Sequence, residues 1–325
     1  MPFKSNIKAA TLGVVVAAAA AAAQAGYPDR PIRLVVGFPA GQATDMIARV
    51  AAKKLQDALG QPVVVDNKAG AAGIIGSEIV AKSVPDGYTL VVGSSGTMAI
   101  NPSLYSKLSY NPQRDFAPVS MLAVVPLFLA VNPSFPAQTA ADLVKQAKAN
   151  PGKINYGSAG SGVTSHLTME LFKHAQGIEL THVPYKGSPA AVTDLIAGQV
   201  QVMIDTGPAL LPQMRTGKVR VLAVAAKKRN AAAPEVPTMA EAGLGNFEAP
   251  AWVGLAAPKG TPKEVIDILN KALQANWGDA PDVREQLNAL GAEPSVTSPD
   301  EFSRYIASEI EKWALAVKLS GAKVD

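Results

Sequence analysis

The chain has 325 residues, more than one hydrophobic core usually serves, so we expect two lobes. Hydrophobic residues make up 48% of it and charged residues 17%, a balance that excludes a disordered chain. The absence of cysteine excludes disulfides, thiolate metal sites and a cysteine nucleophile. The formal net charge is +4, and no Lys/Arg cluster alternates with aromatic residues, so we expect no nucleic-acid partner.

Residues 1–25 have the pattern of a secretory signal peptide. Lys4 and Lys8 precede an apolar run over 12–23, which ends in Ala-Gln-Ala at 23–25. The run is shorter than the roughly 20 residues that a membrane-spanning helix needs. We expect cleavage near Gly26, which leaves 28 basic against 26 acidic residues and a formal net charge of +2.

The first part of the mature chain alternates short apolar strands with helices. Strands are predicted at 32–38, 63–65 and 88–93, with helices after residue 44 and over 73–80. This alternation is typical of a parallel, doubly wound α/β sheet.

A second run of the same kind begins after an apolar segment at 121–131 that Pro126 interrupts. Strands are predicted at 154–157, 180–185, 200–205 and 219–225, with helices from residue 139, after residue 165 and over 190–197. The apolar segment at 249–257 is expected to return the chain to the first sheet. We therefore predict lobe 1 at 26–124 and 251–325 and lobe 2 at 125–250, joined by hinge strands.

Two C-terminal helices are predicted from their start signals. Thr261 to Glu264 and Ser298 to Glu301 both have a capping-box spacing, with proline at the first helical position. Apolar residues at helical spacing follow each of them, and we interpret these as core.

Two small-residue loops that join a strand to a helix, at 38–45 and 157–166, are the candidate ligand site. Ligands of open α/β sheets bind beyond the carboxyl ends of the strands. A helix start offers unpaired amides and a partial positive charge, which suit an anion. The alternative is that the glycines only form turns and the polar residues only cap helices.

Two aspartates have two interpretations each. Asp45 would repel an anionic ligand, so we favour helix capping or contact with a ligand amine. Asp205 ends a predicted strand, and either faces the cleft or caps the turn to Pro208.

The sequence does not match the motifs of a nucleophile elbow, a dinucleotide-binding loop or a histidine metal site. Neither Ser158 nor Ser161 lies in a G-x-S-x-G elbow, and the glycines after residue 157 complete no dinucleotide fingerprint. His166, His174 and His182 are eight residues apart, which does not place two imidazoles on one helix face. We expect no catalytic residue, no cofactor and no metal. We expect His166 to point into the cleft and the other two histidines to be surface or packing residues.

Six segments together resemble the receptor proteins of tripartite tricarboxylate transporters, the Bug or TctC-like family. They are YPDRPIR at 27–33, FPAG at 38–41, DNKAG at 66–70, PDGYTL at 85–90, VPYKGS at 183–188 and WVGL at 252–255. The resemblance implies a periplasmic-binding-protein type II-like fold whose lobes close on a ligand without catalysis. It implies a monomer in the periplasm that captures a small mono- or dicarboxylate and delivers it to the cognate membrane permease subunits.

The family pattern also implies which residues bind the ligand. The first half of the site would be Phe38, Ala40, Gly41, Gln42, Thr44 and Asp45, and the second half Ser158, Ala159, Gly160, Thr164, Ser165 and His166. The distal end would be Ser94, Thr97 and Asp205. Gln42 departs from the family, which usually has a second glycine there. Gln42 supplies a new contact, alters the ligand size or points outward.

Two other functions fit the same fold. One is a sensing subunit whose loaded form binds a signalling partner. The other is a secreted hydrolase or lyase that uses Asp45, His166 or Asp205 as acid or base. The sequence leaves the ligand open among aromatic, aliphatic, hydroxylated and amino acids.

Overall fold

The computed structural model describes residues 26–322 and residue 324, and it contains two β-sheets covered by helices. The predicted signal peptide, 1–25, lies outside the described residues. The strands are β1 (Ile32–Val36), β2 (Val63–Asn67), β3 (Thr89–Ser94), β4 (Phe116–Val125), β5 (Leu127–Val131), β6 (Asn155–Ser158), β7 (Thr181–Pro184), β8 (Val202–Thr206), β9 (Arg220–Val224), β10 (Ala251–Pro258) and β11 (Glu293–Pro294).

The α-helices lie between and after these strands. They are α1 (Ala43–Leu59), α2 (Ile74–Ala81), α3 (Asn101–Leu104), α4 (Pro112–Asp115), α5 (Ala140–Ala149), α6 (Thr164–Gln176), α7 (Ser188–Ala197), α8 (Gly207–Arg215), α9 (Lys263–Asn276), α10 (Pro281–Ala289) and α11 (Pro299–Ser320). A 3₁₀ turn at Ala71–Gly73 precedes α2, and a π-helical segment at Gly96–Ile100 precedes α3. In the described part of the chain, no helix has the length and apolar character to cross a membrane.

Each sheet is built around a set of parallel strands. The first sheet has the order β11-β4-β10-β3-β1-β2, and the second β7-β6-β8-β5-β9. β1 pairs in parallel with β2 and β3, and β6 with β7 and β8. The expected α/β fold is confirmed, with one correction: β10 and β5 run antiparallel to their neighbours, so both sheets are mixed.

The chain changes sheets at a proline. β4 in the first sheet ends at Val125, β5 in the second begins at Leu127, and Pro126 stands between them. The chain returns after β9, when β10 pairs with β3 and β4. Proline has no N–H for a ladder, so it suits this break. The lobe boundaries predicted at 124/125 and 250/251 remain a proposal about which parts move as units.

Helices cover both faces of the first sheet. On one face, apolar residues of β1 and β3 pack with α1, α9 and α10 in a buried cluster. On the other face, Trp252 and Phe302 lie in a second cluster that also holds Leu167 of α6. Because α6 follows a strand of the second sheet, Leu167 packs a residue from the second half of the molecule into this cluster of the first.

One of the two predicted capping boxes is wrong. At α11, Ser298 Oγ accepts from the Glu301 amide and Glu301 Oε2 accepts from the Ser298 amide, as expected. At α9, Pro262 is the N-cap, and the Thr261 hydroxyl donates to the Pro258 carbonyl at 2.8 Å instead. The residue spacing of a capping box is present at α9, but the Thr261 hydroxyl bonds to the preceding turn and does not cap the helix.

Candidate functional site

A cavity of about 230 Å³ lies where strand ends of the two sheets meet. Strands β1 and β3 are neighbours in the first sheet, and β6 and β8 are neighbours in the second, and each leads into a helix. The wall is formed by residues at these strand-to-helix junctions and on the connecting strands: Phe38, Ala43, Thr44, Ala72, Ser94, Ser95, Gly96, Ile100, Asn101, Leu104, Tyr105, Val125, Ser161, Gly162, Val163, Thr164, Thr206, Ala251, Trp252, Val253 and Val324.

The described residues that line this cavity carry no formal charge. They combine an apolar surface, which includes Phe38, Leu104 and Trp252, with hydroxyl groups. Helices α1, α6 and α8 begin at Ala43, Thr164 and Gly207, on or next to the wall. A fourth helical run begins at residue 95. The helix starts therefore supply partial positive charge at a wall that carries no cationic side chain among the described residues.

The first loop is held in shape by Asp45, which does not line the cavity. The Gly41 amide donates to Asp45 Oδ2 at 2.8 Å, and Asn67 Nδ2 donates to Oδ1 at 2.9 Å. Arg49 Nε donates to Oδ2 at 3.0 Å. Burial acts to raise the pKa of Asp45, but hydrogen bonds from Arg49, Gly41 and Asn67 outweigh it and lower the pKa. Asp45 is therefore an ionised brace of the loop.

The exposed tip of the first loop lies off the wall. Ala40, Gly41 and Gln42 are exposed and absent from the cavity lining, whereas Phe38 and Thr44 line it. Gly41 has a φ of 85°, a conformation that favours glycine. Of the three interpretations of Gln42, this position agrees with the outward-pointing one.

The second loop satisfies most of its own amides. Ala159 N donates to Ser165 Oγ at 3.1 Å, and Gly162 N donates to His166 Nδ1 at 3.0 Å. Gly160 N donates to Ser158 Oγ at 3.2 Å. Ser158, Ala159, Gly160, Ser165 and His166 therefore lie behind the wall. The part of this loop that lines the cavity is 161–164, and of the predicted residues only Thr164 belongs to it.

His182 packs against this loop, within the expectation of a surface or packing residue, and it also makes a polar contact that the sequence did not predict. Strand pairing sets Tyr156 opposite His182, and His182 Nε2 lies 2.7 Å from Ser158 Oγ. The ring of His182 stacks on that of His166 at 3.9 Å between centroids and on that of Tyr156 at 4.8 Å. His174 is exposed, as expected.

The Ser158 hydroxyl has three neighbours in this cluster. Its Oγ accepts from the Gly160 amide at 3.2 Å, and both the Gly160 carbonyl, at 3.0 Å, and His182 Nε2 lie within hydrogen-bond distance of it. His166 accepts at Nδ1 and is neutral. Burial, with His182 and Lys173 nearby, lowers the pKa of His166 to about 3.

The predicted distal residues divide into wall and support. Ser94 lines the cavity, but Thr97 does not. Thr97 Oγ1 accepts from the Ser94 amide at 3.0 Å, so Thr97 fixes the turn after β3. Ser95 and Gly96, which sequence reasoning missed, line the cavity beside Ser94.

Asp205 supports the wall from behind. Its Oδ2 accepts from Ser188 Oγ at 2.7 Å, and its Oδ1 accepts from the Thr206 amide at 2.7 Å. Burial raises the pKa of Asp205, although these hydrogen bonds oppose the shift. The next residue, Thr206, lines the cavity, and helix α8 begins at once after it, where only a turn was expected.

Among the described residues, no group of three or more His, Asp or Glu is placed to hold a metal ion. The three candidate acid–base residues of the enzyme alternative, Asp45, His166 and Asp205, all bond to protein groups and lie off the wall.

Comparisons with known proteins agree with this geometry. A sequence profile described as "Tripartite tricarboxylate transporter family receptor" matches residues 47–321. The chain is 42% identical to Protein BugT of Bordetella pertussis over 97% of its length and 98% of that protein's. The structure of R. palustris Rpa4515 with adipate is similar, with a TM-score of 0.80, 39% identity, and coverage of 92% of this chain and 100% of that one.

A second solved structure, MatC (Rpa3494) from Rhodopseudomonas palustris with bound malate, gives a TM-score of 0.74 at 35% identity. The alignment covers 90% of this chain and 100% of that one. The profile match and the full-length likeness to BugT confirm the resemblance found in the sequence, and the chain belongs to the tripartite tricarboxylate transporter receptor family, that of the Bug periplasmic binding proteins.

Proposed function

We propose that this protein is a periplasmic receptor that closes its two lobes on a small organic carboxylate and delivers it to a tripartite membrane transporter. The observation that carries the proposal is a cavity with an uncharged wall, at which helices from both sheets begin. Helix starts stabilise an anion, and an uncharged wall gives an ammonium ion no carboxylate partner.

The energetics are sufficient for a useful affinity. A hydrogen bond to a charged group contributes about 1.5 to 3 kcal/mol, and micromolar binding needs about 8 kcal/mol. Three or four such bonds with some apolar burial reach that value. Thr44 and Thr164 are the first candidates, because both lie at helix starts on facing loops and their hydroxyls make no hydrogen bond within the described residues.

The self-bonded loops support binding rather than catalysis. Asp45 accepts a hydrogen bond from the Gly41 amide. Ser165 accepts one from the Ala159 amide, and His166 accepts one from the Gly162 amide. These bonds fix the loops before a ligand arrives, so little ordering entropy is lost on binding. Adipate and malate in the related structures support the carboxylate class. Export through residues 1–25 and hand-over to permease subunits are the remaining parts of the proposal.

The direct test removes the two hydroxyls. Thr44→Val and Thr164→Val keep the side-chain shape, and each should weaken carboxylate binding by about 10-fold or more in calorimetry. Thr193→Val, at an exposed position on α7, is the matched control and should bind as the wild type does. Unchanged affinity in both folded cleft variants would contradict this site.

A further inference from the structure

A largely buried ion pair lies behind the second loop. Lys173 Nζ donates to both carboxylate oxygens of Glu170, at 2.9 Å each, and the two side chains are 14% and 10% exposed. The Tyr156 hydroxyl donates to the same carboxylate. Burial, together with Glu170, raises the pKa of Tyr156, so Tyr156 keeps its proton and Glu170 is the acceptor. These three residues do not line the cavity.

Such an ion pair contributes little net stability. The cost of taking two charges out of water about equals the attraction that they gain inside the protein. A hydrogen bond to a charged group is stronger than one between neutral groups, so the carboxylate of Glu170 fixes the ring of Tyr156 in one position. Strand pairing sets this ring opposite His182. The effect of the ion pair is therefore on the rings beside it.

The ion pair is connected to the cavity wall through aromatic rings. The ring of Tyr156 stacks on His182, with 4.8 Å between centroids. His182 stacks in turn on His166 at 3.9 Å, and we call these two imidazoles the histidine stack. His166 Nδ1 accepts from the amide of Gly162, which lines the cavity. Because close-packed groups transmit a displacement, a shift of Tyr156 would reach the wall at 161–164.

The same ion pair balances the charge that faces the histidine stack. Burial lowers the pKa of His182, the carboxylate of Glu170 acts to raise it, and the ammonium of Lys173 acts to lower it. In the described part of the chain, the charged or titratable groups that face the two rings are Glu170 and Lys173 of α6 and Tyr156 of β6.

Loss of the ammonium would leave an unbalanced carboxylate beside two imidazoles. An unbalanced buried carboxylate either favours an imidazolium nearby or takes up a proton itself. In both cases a proton enters the cluster as pH falls, and the hydrogen bonds that fix the rings change.

We propose that Lys173 is a positioning residue for ligand binding. Through Glu170 and Tyr156, it keeps the histidine stack uncharged and thereby fixes the part of the wall at 161–164. The inference rests on the proposed carboxylate-binding function. It adds that affinity is controlled from behind the second loop, by a side chain that does not line the cavity.

The experiment replaces the ammonium and follows affinity at two pH values. Calorimetry on refolded, ligand-free protein would use succinate, glutarate and adipate at pH 8 and pH 6.5. Lys173→Met should bind about 3- to 10-fold more weakly at the lower pH, whereas the wild type should change by less than about 2-fold. Lys173→Arg keeps the charge and should restore the wild-type pH profile. Lys148→Met, at an exposed position on α5, is the matched control and should behave as the wild type does.

NMR of the histidine rings and of the Glu170 carboxylate gives a readout that needs no ligand. In the wild type, the ring signals of His166 and His182 should stay those of neutral imidazoles between pH 8 and pH 6.5. In Lys173→Met, either these signals or the carboxylate signal should shift over the same range, which shows the proton entering the cluster.

The outcomes separate this inference from the function on which it rests. A purely structural role of Lys173 would weaken binding equally at both pH values in Lys173→Met. That result, unchanged binding by Lys173→Met, or NMR signals that do not shift in it would each overturn the inference and leave the carboxylate receptor standing. Failure of the wild type to bind any of the three acids would overturn the proposed function and this inference together.

Discussion

The imidazole rings of His166 and His182 stack face to face, with 3.9 Å between centroids and 5° between planes. His166 accepts a hydrogen bond from the Gly162 amide, and His182 is hydrogen-bonded to the Ser158 hydroxyl. The pair therefore stabilises both ends of the second loop. Two imidazolium rings at this distance would repel each other, and the loop requires both rings to be neutral or nearly so.

We predict that this pair makes stability depend on pH. The pKa of His166 falls from 6.5 in the unfolded chain to about 3 in the folded protein, mainly by burial. Its contribution is fully present above pH 6.5 and is lost as pH falls toward 3, because the unfolded chain binds the proton first. The free energy of unfolding should fall by about 2 kcal/mol between pH 6.5 and 5 from this residue.

Urea unfolding of His166→Gln across this range is the check. The variant should show a flatter pH dependence than the wild type. His174→Gln removes an exposed histidine from the same helix and should keep the wild-type slope. Equal slopes in all three proteins would show that His166 titrates normally.

A close contact between the lobes gives a second prediction. Gly162 has a φ of 75°, and a Cβ there would lie 2.5 Å from Leu104 Cδ2 in the other half of the molecule. Gly162→Ala should hold the cleft open and weaken ligand binding by about 10-fold or more, since one lost contact of about 1.4 kcal/mol already gives that factor.

Gly152→Ala is a control for backbone strain, because its φ is 68° and a Cβ there meets nothing within 4 Å. Both variants should lose about 1 kcal/mol of stability from the left-handed backbone. Only Gly162→Ala should lose affinity in calorimetry. Normal affinity of Gly162→Ala would contradict this prediction, because it would mean that the Leu104 side chain moves aside without loss of binding free energy.

The buried carboxylate of Glu309 accepts a hydrogen bond from Trp252, which lines the cavity. Trp252 Nε1 and Trp313 Nε1 both donate to Glu309 Oε2, each at 2.9 Å. Glu309→Ala would leave two buried N–H groups unpaired, so we predict a loss of about 2 to 5 kcal/mol in chemical denaturation. Glu311→Ala, exposed on the same helix, should stay within about 0.5 kcal/mol of wild type. A loss below 1 kcal/mol for Glu309→Ala would contradict the structural role.

The brace of the first loop is also testable. Asp45 accepts hydrogen bonds from three donors, and Asn at this position has a single acceptor oxygen and would set its own N–H₂ against them. Asp45→Asn should lower carboxylate affinity by about 10-fold or more and stability by about 1 to 3 kcal/mol. Asp57→Asn on the exposed side of α1 should do neither, and equal behaviour of the two variants would rule out the brace.

Local chemistry made most elements of the fold predictable. The apolar run over β1, the proline between β4 and β5, and the Ser298 capping box each depend on neighbouring residues in the chain. Helix α8 was missed because Pro208 was interpreted as part of a turn, whereas proline is also favoured at a helix start.

The site was less predictable because partners distant in sequence decide it. Sixteen residues separate His166 from His182, yet the pairing of β6 with β7 brings His182 to Ser158. For Asp45, sequence reasoning expected helix capping or a ligand amine and did not identify Asn67, because Asn67 reaches Asp45 only from the end of β2. Ser95 was overlooked because neighbouring hydroxyls on a strand-to-helix turn look alike until their hydrogen bonds are known.

The central claim is that the cleft between the sheets binds a small carboxylate. Isothermal titration calorimetry of refolded, ligand-free protein with succinate, glutarate, adipate and their monocarboxylate counterparts tests it most directly. We predict a dissociation constant of about 1 μM or tighter for at least one of them, and about 2.7 kcal/mol of added stability at 100-fold excess over that constant. No heat of binding and no stabilisation by any of these acids at about 1 mM would contradict it.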